Sequence, residues 1–454
     1  MTADVALWPA HRLAEGIRRR DFSSRELLDV YLARIERLNP SLNAVITLDV
    51  DGARRAADAA DVAVSRDEVS GPLHGIPMTV KDSFETAGIR TTCGVPEWDR
   101  VPDRDAEAVG RLRGAGAVIF GKTNVPVMAG DWQTFNPIFG VTSNPWDTSR
   151  STGGSSGGAA AALAAGLTAL ELGSDIAGSI RLPSNWCGVC GHKPSWGVVP
   201  QLGHLPPPPG ALSAADLAVM GPLAREVADL ELALTVLAGP TRSDAIGWRL
   251  DMPPARASAL SQLRLATWLD DPAYPVEPDV AAVLQAAVAA LADAGVNLVE
   301  DPPPVSLPEL VGLHVELLYP LMDSTSALRH RQWLTANERR ERIRARMSQY
   351  FRQVDALLMP VAMVSAIAHD HLEPMADRVL PLKDGNRSYL DLFGWVGLPT
   401  VAYLPATAVP VGRTVDGLPV GIQVVGPYLE DHTTLAVARA IERVLGGFTA
   451  PPGV

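Results

Sequence analysis

The fold is decided by one stretch, Ser151 to Ser195, which reads STGGSSGGAAAALAAGLTALELGSDIAGSIRLPSNWCGVCGHKPS. Its Ala-rich run predicts a helix over 158–165, and the apolar run that follows predicts a strand over 167–172. The small residues of SDIAGS then form a turn that leads into a second helix. A helix, a strand and another helix in succession are typical of an α/β architecture with a mostly buried sheet.

The same alternation continues on both sides of this stretch. Short apolar runs predict further strands at 76–80, 117–120, 263–268, 357–359, 401–404 and 420–425. Helical patterns lie before and between them, and they predict helices at 51–64, 106–113, 280–294, 337–351 and 433–445.

The first 68 residues are predicted to form a helical segment that packs on the rest of one domain. Ser23 followed by Glu26 is typical of a capping box, and Asn39-Pro40 should end the helix that it starts. Residues from about 300 to 353 are expected to be mainly helical and to form a flap-like region. We expect the whole chain, 1–454, to form a single domain.

The composition excludes several classes of protein. The 454 residues include 39 Lys and Arg against 51 Asp and Glu, a net charge of −12 without a basic patch, so we expect no nucleic-acid partner. Hydrophobic residues make up 47% and charged residues 20%, as in ordinary soluble proteins. The longest stretch of low charge, Gly153 to Leu170, is too small and too polar to span a membrane. With no signal-peptide pattern and three cysteines, we expect a cytoplasmic location.

Two patterns match known motifs but lack the structural context of those motifs. GAVIFGKT, residues 116–123, has the letters of a P-loop, yet its inner residues are strand-like and Pro126 follows where a helix should begin. GGSSG, residues 153–157, has the letters of a nucleophile elbow, but turn residues precede it instead of an apolar strand. Because Asp370-His371 and Asp431-His432 occur later in the chain, a hydrolase triad with His371 or His432 as its base nevertheless stays open as an alternative.

The cysteine and histidine patterns do not predict a metal site. Cys187 and Cys190 form one C-x-x-C pair without a second pair, and His192 is the one further ligand nearby. We expect the thiols to pack as small buried apolar groups. His369 and His371 lie in a loop, where such pairs seldom bind a metal. We expect neither a metal nor a cofactor.

The chemistry concentrates in two parts of the opening stretch. The GGSSGG loop, residues 153–158, allows backbone conformations that other residues resist. The turn from Ser174 to Ser179 can direct successive backbone N–H groups at one point, which is the geometry of an oxyanion hole. Ser179 at the end of this turn is a candidate nucleophile. A serine hydroxyl needs a base to take its proton, and lysine is one of the bases that serve this role.

This stretch strongly resembles the amidase signature family of serine hydrolases. The resemblance continues in GPLHGIPMTVKDSFETAGIRTTCG (71–94), GKTNVPVMAGDWQTFNP (121–137), GPLAREVADLELAL (221–234) and GLPVGIQVVGPYLEDHTTLAVARAIE (417–442). It covers nearly the whole chain and is weakest between about 250 and 350. It implies the amidase-signature fold, a large mixed and twisted β-sheet covered by helices on both faces, and an amide hydrolase that needs no cofactor.

The resemblance also assigns three catalytic residues. The lysine of the family's Val-Lys-Asp motif falls on Lys81, the bridging serine falls on Ser155, and the nucleophile falls on Ser179. A cis peptide bond is implied before Ser155. Because Lys81 must be neutral to act as a base, and because burial penalises the charged form, we expect this lysine to be buried.

The resemblance implies that the oxyanion that develops on the substrate carbonyl is held by backbone N–H groups. These are the N–H groups of Ile176, Ala177, Gly178 and Ser179. The family usually has Gly-Gly-Ser where this chain has Ala177-Gly178-Ser179. A positive φ at position 177 would strain an alanine there. Ser174 also stands where the family commonly has Thr.

Two further groups of residues are given roles. Asp175 and Arg181 are expected to be structural, through an ion pair or a set of backbone contacts. Either would shape the turn from Ser174 to Ser179, which we call the nucleophile turn after its candidate nucleophile. Four apolar residues cluster after the Gly-Lys-Thr-Asn segment, namely Met128, Trp132, Phe135 and Phe139. Core packing is one interpretation of this cluster, and an apolar pocket for the acyl group of a substrate is the other.

The substrate is predicted to be a small-molecule amide, with anilides, esters and carbamates as related electrophiles. The alternative is a glutamine-hydrolysing subunit of a tRNA-dependent amidotransferase, which shares the triad but supplies ammonia to a partner protein. The acidic charge balance and the variant at 174–179 favour the stand-alone hydrolase. A catalytically inactive binding protein is disfavoured because Lys81, Ser155 and Ser179 are all retained. We expect a monomer or a homodimer.

Overall fold

The computed structural model describes residues 3–257, 259–322 and 329–454. The strands are β1 (Val45–Leu48), β2 (Pro77–Lys81), β3 (Val118–Thr123), β4 (Phe135–Asn136), β5 (Gly140–Val141), β6 (Ser143–Asn144), β7 (Asp147–Ser151), β8 (Glu171–Asp175), β9 (Cys190–Lys193), β10 (Val219–Ala224), β11 (Arg264–Thr267), β12 (Asn297–Glu300), β13 (Ala356–Pro360), β14 (Val379–Leu382), β15 (Gly385–Ser388), β16 (Ala406–Arg413) and β17 (Pro419–Val425).

Helices alternate with these strands along the chain. They are α1 (Ala10–Arg19), α2 (Ser24–Leu42), α3 (Val50–Ser65), α4 (Glu107–Gly114), α5 (Gly157–Ala164), α6 (Arg181–Cys187), α7 (Val227–Leu237), α8 (Pro278–Asp293), α9 (Leu307–Met322), α10 (His330–Tyr350), α11 (Phe393–Val401) and α12 (Asp431–Leu445). In the described ranges, no helix combines the length and the apolar composition needed to cross a bilayer.

Eleven of the described strands form one mixed sheet in the order β1-β3-β2-β8-β10-β9-β16-β17-β13-β11-β12. Strand β2 pairs in parallel with β3 and β8, and β11 pairs in parallel with β12 and β13. The other neighbours, including β8 and β10, pair antiparallel. Helices pack against this sheet, as α12 does on β16 and α5 on β8. The predicted α/β class with a large mixed sheet is confirmed.

The local predictions hold for most elements and fail in three places. The strand predicted at 167–172 is displaced, because β8 begins at Glu171 and continues to Asp175. Helix α2 starts with the predicted capping box, in which Ser23 and Glu26 bond each other's backbone N–H groups. The helix does not stop at Asn39-Pro40, because Pro40 lies in its last turn, where the missing N–H removes only one hydrogen bond. The chain leaves the helix at Asn43, which is left-handed with φ 51°.

The strand predicted at 401–404 is wrong. Only Val401 of this run belongs to an element, as the last residue of α11; a turn follows, and the strand begins at Ala406. Every residue of α11 is buried, so its sequence is apolar on all sides and carries no helical periodicity. A short apolar run of this kind does not distinguish a buried helix from a buried strand.

The sheet brings the chemically active segments to one edge. Because β2 and β8 are parallel neighbours, their carboxyl ends, at Lys81 and Asp175, lie at the same edge of the sheet. The GGSSGG loop, residues 153–158, leads into α5, which packs against β2 and β8, and the nucleophile turn joins β8 to α6. Glycine is required where α5 starts, since a Cβ on Gly158 would lie 2.3 Å from the backbone N of Asn124.

Candidate active site

Lys81 is the last residue of β2 and is completely buried. Its ammonium donates hydrogen bonds to the hydroxyl of Ser155, at 2.7 Å, and to the hydroxyl of Ser174, at 2.9 Å. Burial lowers the pKa of Lys81 to about 7, against the opposing effect of nearby negative charge. Near neutral pH a large fraction of this lysine is therefore an uncharged amine.

Ser155 lies in the glycine-rich loop just before α5, and the Gly154–Ser155 peptide bond is cis, as the resemblance implied. Ser155 is buried. The next residue ties the loop to the nucleophile turn, because the N–H of Ser156 donates to the carbonyl of Ser179 at 3.1 Å. The loop and the turn thus form one unit, although they are separate in sequence.

Ser179 and Ser155 line the same cavity of about 150 Å³. Ser174 and Asp175 line it as well. The structure therefore brings Ser155 and Ser179 to one cavity, and Lys81 lies behind its wall, hydrogen-bonded to the Ser155 hydroxyl. The arrangement can pass a proton from a serine at the cavity to a buried amine.

Asp175 and Arg181 form the predicted ion pair, fully buried, with Oδ1 2.9 Å from Nη2 and Oδ2 3.0 Å from Nε. Burial acts to raise the pKa of Asp175, but the guanidinium and backbone hydrogen bonds outweigh it and hold the pKa well below its usual range. The same carboxylate accepts the N–H groups of Gly178, at 2.9 Å, and Ile180, at 3.1 Å. The ion pair therefore fixes the backbone of the nucleophile turn.

Position 177 does not require a positive φ, so Ala177 is not strained. The residue of the turn with a positive φ is Gly178, at 91°, so the alanine occupies an ordinary conformation. Gly178 is less available to an oxyanion than expected, because its N–H already donates to Asp175. Within the described part of the chain, the N–H groups of Ile176, Ala177 and Ser179 have no acceptor.

A second cavity, of about 290 Å³, also reaches Ser179. Its walls are mainly apolar and include Ala177, Trp132, Leu318, Tyr319 and Phe393. Ile176 and Ala129 line both cavities, so the nucleophile turn lies between them.

The three predicted substrate contacts are found in different places. Met128 lines the smaller cavity, and Trp132 lines the larger one, where its Nε1–H donates to the Ala177 carbonyl at 2.6 Å. Phe135 lines neither cavity and stacks on His371 with ring centroids 4.1 Å apart. His371 and His432 do not line either cavity, which leaves the alternative triad without a base at Ser155 or Ser179.

Three polar residues near the site were not predicted. Ser174 was noted as a departure from the family, but its bond to Lys81 depends on the pairing of β2 with β8. His204 lines the smaller cavity, and burial together with the charge of Lys81 lowers its pKa to about 3. His314 of α9 bonds the carbonyl of Ile176 at 2.8 Å. No local motif in the sequence points to either histidine.

The cysteines occupy the positions expected of small buried groups. Cys187 and Cys190 are free and buried, and burial raises the pKa of both thiols. Their Sγ atoms face the carbonyls of Thr152 and Arg225. Among the described residues, no three His, Cys, Asp or Glu side chains are grouped so that they could hold a metal ion.

Comparisons with known proteins show the family and the fold of the chain. A model of the Amidase family matches residues 26–330 and 312–435. A glutamyl-tRNA(Gln) amidotransferase subunit from Synechococcus sp. (strain CC9605) is 33% identical over 95% of each chain. The acylamidase of Rhodococcus erythropolis is 32% identical over 98% of this chain and 97% of its own. The structure of a bacterial aryl acylamidase of the amidase signature family matches with a TM-score of 0.83 and 25% identity over 96% of each chain, which confirms the predicted fold.

Proposed function

The chain belongs to the amidase family of enzymes that act on C–N bonds, and we propose that it hydrolyses small-molecule amides through an acyl-enzyme on Ser179. One observation carries the assignment of residues. The buried amine of Lys81 bonds Ser155, and Ser155 shares a cavity with Ser179.

In the proposed reaction, uncharged Lys81 accepts the proton of Ser155 while Ser155 accepts the proton of Ser179. The Ser179 oxygen attacks the substrate carbonyl. When the tetrahedral intermediate collapses, Ser155 gives a proton to the leaving nitrogen and is reprotonated by Lys81. Water then attacks the acyl-enzyme by the same relay and releases the acid, so the enzyme returns to its starting state.

The developing oxyanion would be held by backbone N–H groups of the nucleophile turn. Ile176, Ala177 and Ser179 are the donors whose hydrogen bonds remain unused within the described chain, so we assign them this role. Gly178 contributes through its conformation, and its N–H secures the turn to Asp175.

The two cavities suggest how the substrate lies. Ser155, the proposed proton donor to the leaving nitrogen, lines the smaller cavity, so the amine part should occupy that space. The acyl part then lies in the larger cavity, whose apolar walls around Trp132 and Phe393 suit aryl or aliphatic groups. Esters and carbamates present the same carbonyl and are expected as further substrates.

The test is labelling with a serine-reactive fluorophosphonate, followed by peptide mass spectrometry. We expect the adduct on Ser179, its loss in Ser179→Ala, and strongly slowed labelling in Lys81→Met. A panel of anilides, primary amides and carbamates then defines the preferred substrate. An adduct on Ser155 or Ser156, with full amidase activity in Ser179→Ala, would overturn the assignment.

A second function has support from the comparisons, since the amidotransferase relative is as similar in sequence as the acylamidase. Glutamine carries two charges at its α-carbon. The larger cavity has mainly apolar walls, and its one charged lining residue, Asp131, is already paired with Arg378, so the cavity matches those charges poorly. Glutaminase activity that appears only with a copurified partner would favour this alternative. We keep a cytoplasmic monomer or homodimer as the working assignment, and light scattering over a range of concentrations tests the assembly state.

A further inference from the structure

We propose that His314 is a positioning residue that aligns the oxyanion hole, and that helix α9 thereby couples the acyl cavity to catalysis. The proposal rests on the function proposed above. It concerns a residue in the part of the chain where the resemblance to the family is weakest.

The first observation is the bond from His314 to the nucleophile turn. Its Nε2 lies 2.8 Å from the carbonyl oxygen of Ile176. A carbonyl only accepts hydrogen bonds, so Nε2 carries the proton and donates it. Burial lowers the pKa of His314 to about 4, which keeps the ring neutral over the ordinary pH range. Within the described residues its Nδ1 has no partner, so the bond from Nε2 is the one hydrogen bond that orients the ring.

The second observation concerns the peptide that this bond holds. The carbonyl of Ile176 and the N–H of Ala177 belong to one trans peptide, and they point in opposite directions in one plane. Fixing the carbonyl toward His314 therefore fixes the direction of the Ala177 N–H. That N–H has no acceptor within the described chain, and Ala177 lines the larger cavity beside Ser179.

The next peptide shows the contrast. Trp132 donates to the Ala177 carbonyl, and the N–H at the other end of this peptide, on Gly178, donates to Asp175. Both ends of this peptide are occupied, so it is structural. The Ile176–Ala177 peptide is held at its carbonyl alone, which leaves its N–H oriented and unused. This is the state required of an oxyanion donor before substrate arrives.

The third observation links the hydrogen bond between His314 and Ile176 to substrate binding. Helix α9 carries Leu318 and Tyr319 into the larger cavity and Leu321 into the smaller one. Phe393 also lines the larger cavity. Its ring packs edge-on against the rings of His314 and Trp132, with centroids 5.0 Å and 4.7 Å apart. An acyl group that fills this cavity presses on the same helix and ring that hold the turn. Selectivity for the acyl group should therefore appear in kcat as well as in KM.

The test compares an aryl ester with the thionoester of the same acid, because sulfur is a weaker acceptor for the oxyanion donors. His314→Gln places an amide N–H near the position of Nε2, whereas His314→Asn is too short to reach the carbonyl. We expect His314→Asn to lower kcat for the ester about 10- to 100-fold, and kcat for the thionoester less than about threefold. His314→Gln should keep the ester rate within about fivefold of wild type.

Leu310→Ala serves as the control. Leu310 is buried one turn before His314 on the same helix, so its loss should lower the melting temperature without changing the ester-to-thionoester ratio. Equal loss on both substrates in His314→Asn, or no loss on either, would overturn the proposal. Failure of the underlying mechanism would look different, because Ser179→Ala would then keep its activity on both substrates.

Discussion

Two buried lysines of this protein have the same perturbed pKa and different surroundings. Lys81 and Lys193 are both inaccessible to solvent, and burial lowers the pKa of each to about 7. Lys81 bonds the hydroxyls of Ser155 and Ser174 beside a cavity, whereas Lys193 bonds the carbonyls of Pro194 and Leu404.

The difference lies in what the partners can do with a proton. A hydroxyl both donates and accepts, so it can give a proton to the neutral lysine and take another from a neighbour. A carbonyl only accepts, and it keeps the ammonium in place. A lowered pKa thus marks a buried lysine, and the partners and the cavity decide whether it can serve as a base.

The largest expected effect comes from replacing each lysine by methionine. Lys81→Met should lower kcat about 10³-fold, because general-base catalysis contributes about 10²- to 10⁴-fold. Lys193→Met should keep kcat within about threefold. Steady-state kinetics on one amide substrate measure both.

Lys193→Met should instead be visible in stability. It leaves the carbonyls of Pro194 and Leu404 without their donor, at about 1–3 kcal/mol for each unsatisfied group. Urea denaturation of each variant measures this loss and shows that the protein is folded. A folded Lys193→Met enzyme as inactive as Lys81→Met would break the distinction between the two lysines.

The second effect concerns Asp175, whose negative charge raises the pKa of both lysines. Arg181→Met leaves this carboxylate buried and unpaired, so we expect a loss of about 3–5 kcal/mol in the free energy of unfolding. The matched control is Arg342→Ala, which removes an exposed i,i+4 pair with Glu338 and should leave stability unchanged. Equal urea midpoints for the two variants would contradict the structural role of the ion pair.

The features of the fold and of the site that could be predicted are those encoded in a short stretch of sequence. Lys81, Ser155 and Ser179 lie in motifs, so the resemblance located them, and the apolar runs located β2, β3 and β17. The bond from Lys81 to Ser174 depends on the register of two strands, and the bond from His314 to Ile176 joins residues 138 positions apart. Such contacts arise from packing of the whole chain, which local periodicity does not encode. Phe135 was predicted to contact substrate but lines neither cavity. The reason is the same, because an apolar side chain predicts burial but not the surface against which it packs.

The third prediction is the pH dependence of kcat/KM. Lys81 accepts a proton only when it is uncharged, so activity should be lost as the pH falls through about 7 and should level off above it. Below the midpoint the rate should fall about tenfold per pH unit. The same midpoint is expected in Lys193→Met, although Lys193 titrates in the same range. A profile that is flat across this range, or a midpoint that moves with Lys193, would show that another group is the base.

The smallest effect is expected at Ser174, the second hydroxyl on Lys81. Ser174→Ala leaves the amine with Ser155 as its remaining partner, so the lysine keeps its route for the proton and loses one of two bonds that orient it. A hydrogen bond of this kind contributes about 1 kcal/mol, which corresponds to a fall in kcat of about three- to tenfold. Ser174→Thr keeps the hydroxyl and should restore the rate.

This pair of variants separates orientation from proton transfer. If Ser174 only orients Lys81, the acid limb of Ser174→Ala stays near pH 7 while kcat falls, because burial, the main cause of the lowered pKa, is unchanged. If Ser174 itself carried the proton, Ser174→Ala would approach the inactivity of Lys81→Met. Measuring kcat and the acid limb together in the two Ser174 variants therefore decides whether Lys81 works through one hydroxyl or through both.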